Sequence, residues 1–135
     1  MKIKGYNHVG INVTDMKKSV IFYDKILTYL GFKKVHDEVD SAGWWCKEGS
    51  LWLHTPPKTR LKNKHSEFNP GPQHIAFRAA KRKDVDDLYE KVLKPNRIKV
   101  LYGGPAEYPE YDPGYYAVFF KDPDGVKLEL MWLPE

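Results

Sequence analysis

Two histidines, His8 and His74, open segments that can be laid over one another, NHVGINV (residues 7–13) on QHIAFRA (residues 73–79). Imidazole nitrogen suits several divalent metals, so two imidazoles in equivalent places of a repeated pattern are the first chemistry to account for. Near the C-terminus, Tyr115 and Tyr116 carry hydroxyls able to donate or accept a proton. Arg78 and Lys127 are cations that could meet an anionic substrate group, although each also reads as a rim residue facing water. Cys46, the lone cysteine, has no partner for a disulfide, a CxxC pair or a cysteine-based zinc site, and reads as a packed strand residue.

These groups must be held by elements, and the elements repeat. The 66-residue offset between the histidines also pairs Tyr23 with Tyr89, Asp24 with Glu90, Lys25 with Lys91, Ile26 with Val92 and Leu27 with Leu93, without a gap. Each copy opens on an alternating segment: Val9, Ile11 and Val13 on one face, His8, Gly10 and Asn12 on the other, the period of a half-buried strand. The period then switches. Met16, Val20, Tyr23, Leu27 and Leu30 make one helical stripe, and Val85, Leu88, Tyr89 and Val92 a second. Asp15 is placed to cap the first helix and Gly31 to end it.

Strand-like runs rich in Val, Trp, Tyr and Phe follow each helix. Placing Gly49 over Gly125 sets SLWLH (residues 50–54) against VKLEL (residues 126–130), at an offset of 76. DPDG, residues 122–125, reads as a tight turn, with Pro at its second position and Gly free to take a positive φ. The Pro-rich GGPAEYPEYDPG, residues 103–114, reads as a loop. The expected organisation is one domain over residues 1–135 built from two βαβββ modules, at about 1–56 and about 73–135, with a linker at about 57–72. The expected fold class is α+β.

Composition agrees with a folded chain. The sequence is 41% apolar, 30% charged and 14% aromatic, with a net charge of +4. The lysines are scattered, denser only over residues 58–65, and no aromatic-and-basic motif accompanies them, so nucleic-acid binding is not expected. No run approaches the roughly 18 apolar residues of a membrane span. The polar start MKIKGYNH lacks the apolar core of an export signal, and a reducing cytoplasm is the expected setting.

A duplicated βαβββ unit with a histidine opening each copy and a glutamate on the last strand resembles the glyoxalase, bleomycin-resistance and extradiol dioxygenase superfamily, the vicinal oxygen chelate proteins. NHVGINVTDMKKSVIFYDKIL, HIAFRAAKRKDVDDLYEKVL and YYAVFFKDPDGVKLELMW carry the resemblance, which spans nearly the whole chain. It implies two modules whose sheets curl around one cleft, and a divalent ion (Fe, Mn, Zn or Ni) held by His8, His74 and Glu129. Two imidazoles and a carboxylate leave coordination positions open for two vicinal oxygens of a small molecule. In glyoxalase I a further glutamate stands on the last strand of the first module. The Gly49–Gly125 match puts Leu53 there, and His54 would take its place only if the register slipped by one.

Strand parity adds Lys127 and Met131 to the Glu129 face, and Ala76 and Arg78 to the His74 face. Leu51 and Leu53 are expected to face inward as well, and Trp52 joins the substrate-lining candidates as part of an apolar wall. Glu129, Tyr115 and Tyr116 are the catalytic candidates. The expected activity is a glyoxalase-like metal-dependent lyase, isomerase or dioxygenase acting on a small molecule. A fosfomycin-type thiol transferase or a metal-free, bleomycin-binding type of module is the alternative, and the resemblance implies a homodimer.

Overall fold

The structure is a computed structural model describing residues 1–135. It divides into two units, Met1–Lys64 and His65–Glu135, with the boundary inside the expected linker. The first unit runs β1 (His8–Asn12), α1 (Met16–Tyr29), β2 (Lys33–Asp37), β3 (Ser41–Cys46) and β4 (Gly49–His54). The second runs β5 (His74–Arg78), α2 (Arg82–Leu88) prolonged by one π-helical turn over Tyr89–Leu93, β6 (Val100–Glu107), β7 (Tyr116–Lys121) and β8 (Lys127–Trp132). A short 3-10 turn, Lys58–Arg60, lies in the linker. No helix is long and apolar enough to cross a membrane.

Each unit has a four-stranded sheet, ordered β1-β4-β3-β2 in the first and β5-β8-β7-β6 in the second. The first strand pairs parallel with the last, and the remaining pairs are antiparallel. The 66-residue offset holds in three dimensions: β1 and β5 both span five residues from a histidine, and α1 and α2 start at Met16 and Arg82. The fold is thus α+β with two βαβββ modules, as the residue pattern implies.

Alternation dictates the two faces of each sheet. In the first, Ile11, Ala42, Trp44, Leu51 and Leu53 are buried on the side of α1, where Trp44 donates its indole N–H to Asp24 at 2.8 Å. α1 presents Ser19, Phe22, Tyr23, Ile26 and Leu27 to that face. This corrects the expected stripe, from which Phe22 and Ile26 were missing and in which Val20 stands at the edge. Asp15 caps the helix, accepting from the Lys18 amide at 3.0 Å. Gly31, at φ +91°, turns the chain out of it. In the second unit Val118, Phe120, Leu128 and Leu130 share the helix side with Val85 and Leu88.

The Gly103–Gly114 stretch is not all loop, because β6 runs on to Glu107. Pairing with β7 is interrupted between Leu101 and Ala106, where Tyr102, Gly103 and Gly104 all take positive φ. A bulge of this kind suits an edge strand, and there Pro105 has no ladder hydrogen bond to lose. The DPDG turn forms as expected: Gly125 has φ +88° and donates to the Asp122 carbonyl at 3.1 Å. The Asp122 carboxylate closes it by accepting from the Asp124 and Val126 amides at 2.9 and 2.7 Å.

Candidate functional site

The helix-free face of the second sheet gathers most of the reactive residues. Parallel pairing sets His74 beside Lys127 and Ala76 beside Glu129, and antiparallel pairing sets Phe119 against Glu129. His74 Nε2 lies 3.0 Å from Glu129 Oε2. The Tyr115 hydroxyl donates to the other carboxylate oxygen, Oε1, at 2.7 Å. Glu129 is only 1% exposed, an uncommon burial for a carboxylate without such partners. Burial, followed by the hydrogen bond to Glu129, pushes the Tyr115 hydroxyl well above its ordinary value, so Tyr115 is a donor throughout the neutral range. Tyr108 stacks on Tyr111 and meets Phe119 edge-on, which gives this face an aromatic wall.

The other ring nitrogen of each histidine has a partner from the preceding residue. His8 Nδ1 is 2.9 Å from Asn7 Oδ1, and His74 Nδ1 is hydrogen-bonded to Gln73 Oε1. An amide oxygen can only accept, so Nδ1 carries a proton, and in the neutral ring Nε2 presents its lone pair. At His74 that lone pair faces a carboxylate oxygen. Two acceptors 3.0 Å apart repel unless a proton or a cation stands between them. A divalent ion shared by the two groups would relieve that repulsion, since imidazole nitrogen and carboxylate oxygen both serve as ligands to such ions. The chemistry of the pair therefore fits a shared metal ion. Within neither unit do three such side chains converge as a metal-holding group; His8 belongs to the first unit, on the helix-free face of its own sheet.

The remaining candidates separate by face. Lys127 is 7% exposed, and its ammonium donates to the Tyr102 hydroxyl at 3.0 Å. Arg78 is exposed and reaches the Leu133 carbonyl at 3.4 Å. Tyr116 points the other way: its hydroxyl donates to Asp86 of α2 at 2.6 Å and Arg82 lies 3.8 Å over its ring. Of the two tyrosines, only Tyr115 stands at Glu129. Neither Leu51 nor Leu53 faces the histidine side as expected, since both lie on the helix side with 2% and 0% exposure.

The reason is a register difference. β1 pairs His8 with Ser50, while β5 pairs His74 with Lys127, so Ser50 corresponds to Lys127 and Trp52 to Glu129. The offset of the last strands is one more than the glycine match implies. A two-residue turn joins β3 to β4, whereas five residues separate Lys121 from Lys127. The first unit's counterpart of Glu129 is thus an indole. Trp52 lies flat over Gly43, where an added Cβ would come within 2.5 Å of the ring, and its N–H donates to Ser50 at 3.0 Å. His54 shares that face, with its ring near Gly10.

Reading the residues alone missed Asn7, Gln73, Tyr102 and Phe119. A signal existed for the first two, because each histidine follows a side-chain amide in both copies. None existed for Tyr102, whose placement depends on the bulge in β6.

Known proteins agree with this architecture. The chain is 30% identical over 125 residues to the uncharacterized protein YqjT of Bacillus subtilis, covering 93% of this chain and 96% of that one. It is 31% identical over 128 residues to the metallothiol transferase FosB of Staphylococcus haemolyticus, covering 95% and 83%. A crystal structure assigned as a glyoxalase, from Bacillus halodurans, superposes with a TM-score of 0.84 at 29% identity over 96% of this chain and 97% of that one. The lactoylglutathione lyase of Agrobacterium tumefaciens shares the fold alone, with a TM-score of 0.69 at 19% identity over 98% and 96%. Residues 5–130 match the family described as the Glyoxalase/Bleomycin resistance protein/Dioxygenase superfamily, and the chain belongs to that family.

Proposed function

We propose that the chain is a metal-dependent enzyme acting on a small molecule that offers two vicinal oxygens, with His8, His74 and Glu129 as the metal-holding residues. The observation that carries this reading is the His74 Nε2 to Glu129 Oε2 approach of 3.0 Å, with the opposite ring nitrogen already tied to Gln73. A divalent ion at these residues would polarise a substrate oxygen and leave positions open for a chelating pair. The chain's own residues do the rest. Asn7 and Gln73 fix the tautomer of each imidazole, Tyr115 orients the carboxylate and excludes water from its Oε1 side, and the Tyr115 hydroxyl holds a proton beside the reacting region.

Among reaction types, thiol transfer to a small electrophile is favoured over a glyoxalase I-like isomerisation. Similarity to metallothiol transferases supports it, at 31% identity across 95% of the chain. The glyoxalase I pattern asks for a carboxylate on the last strand of the first module, and Trp52 stands where it would be. Arg78 and Trp52 complete the substrate-facing set in this reading, and the working form is a cytoplasmic homodimer.

The test is the metal content, by elemental mass spectrometry, of protein purified without chelators, beside His8→Ala, His74→Ala and Glu129→Ala. About one equivalent of one divalent metal per chain in the parent, lost from each variant, is the expected result. A parent that stays empty after incubation with iron, manganese, nickel and zinc would overturn the reading in favour of a ligand-binding module.

A further inference from the structure

Lys127 is a buried cation without a counter-ion. It is 7% exposed, and its one hydrogen bond is to the neutral Tyr102 hydroxyl at 3.0 Å. Its Nζ lies 4.9 Å from the centre of the Phe119 ring and 5.1 Å from that of Tyr102, so cation–π contact replaces part of its hydration. The acids in the neighbourhood are otherwise committed. Glu67, whose carboxylate feels the Lys127 charge, makes its contact with Lys121 at 2.9 Å. Glu129 gives one oxygen to Tyr115 and turns the other to His74. A buried ammonium has three donors and almost never goes unpaired in a native protein.

The backbone around its partner is also strained. Tyr102 has φ +56° inside the bulge of edge strand β6. That left-handed conformation is unfavourable for a residue with a Cβ. The bulge aims Tyr102 at Lys127 and at Phe119, whose ring it meets at 5.4 Å. Such strain at an exposed residue, beside a cation without a counter-ion, points to a binding position.

We propose that Lys127, steadied by Tyr102, receives an oxyanion group of the substrate, a carboxylate, phosphate or phosphonate; this rests on the metal-dependent reading above. Lys127 and Glu129 share one face of β8 with a single residue between them. Two residues along a strand separate the two positions by about 7 Å. The substrate class is therefore a short bifunctional molecule, with its anionic group a few bonds from the oxygens it offers at Glu129 and His74. The same spacing selects against neutral analogues, because an uncompensated ammonium would remain buried in their complexes.

The test is calorimetric titration of the protein as purified, and of Lys127→Met and Tyr102→Phe, with methylphosphonate, acetate and the neutral control acetamide. Metal content is measured on each sample. The expected result is binding of at least one anion by the parent and none of acetamide, with Lys127→Met weaker by tenfold or more and Tyr102→Phe by threefold or more at unchanged metal content. Preference for methylphosphonate or for acetate assigns the group to the phosphorus or the carboxylate class. A parent that binds neither anion, or a Lys127→Met variant that binds as the parent does, would overturn the proposal. Lysine-dependent anion binding by a parent that takes up no metal would instead sink only the metal-dependent reading.

Discussion

Tyr115 and Tyr116 are adjacent in the chain and do different work, because adjacent residues point to opposite sides. Tyr116 meets Asp86 and Arg82 under the helix, whereas Tyr115 donates to Glu129 on the free face. Removing the Tyr115 hydroxyl leaves a buried carboxylate oxygen without a donor, a loss of about 1–3 kcal/mol. Groups that orient a metal-holding side chain also change affinity, by roughly 10–100-fold on removal. Tyr115→Phe is accordingly expected to lower stability by about 1–3 kcal/mol in urea melts and to weaken metal uptake in an equilibrium titration. Unchanged values in both would mean that Glu129 does not need this partner, and would remove Tyr115 from the site.

At the scale of elements, the decisive quantity is strand register. The glycine match puts Leu53 opposite Glu129, while the pairing of β1 with β4 puts Trp52 there and sends Leu53, 0% exposed, into the core under α1. Two glutamate substitutions separate these alternatives. Leu53→Glu places a carboxylate among Ile11, Ala42 and Trp44 and is expected to cost several kcal/mol, enough to abolish a cooperative thermal transition. Trp52→Glu is expected to keep that transition, because Trp52 lies on the helix-free face and gives up its ring contacts with Gly43 and His36 and one part-buried hydrogen bond to Ser50. The reverse order of stabilities would restore the first match. Local period and turn chemistry made much of this legible in the residues alone: the histidine strands, the Asp15 cap, the Gly31 stop and the DPDG turn all follow from short-range rules. Pairing across β4 and β8 was not legible, because it depends on the lengths of the two hairpin connections, and one residue reverses a strand's faces. The Tyr102 bulge was hidden for a similar reason, since the glycines and proline around it have the composition of a loop.

For the molecule as a whole, stability against pH depends on which charges folding takes out of water. Many ion pairs here are exposed, as Lys47 with Glu48 and Arg82 with Glu107 are, and contribute little. Glu67 with Lys121 differs, with side-chain exposures of 9% and 23%. The Lys121 ammonium beside it holds the Glu67 carboxyl below its ordinary value of 4.5. A depressed folded value means a contribution fully present above pH 4.5 and lost as the pH falls through the folded value. The alkaline side has the opposite sign. Burial, then the hydrogen bond to Asp86, pushes Tyr116 up from 10.0 to about 12. Its contribution is therefore complete below pH 10.0 and is lost as the pH rises through about 12. Urea melts from pH 3 to 12 are expected to show a plateau with two falling limbs. Glu67→Gln should flatten the acid limb alone and Tyr116→Phe the alkaline limb alone. Limbs that keep the parent's shape in both variants would show that neither group sets the pH range in which the chain stays folded.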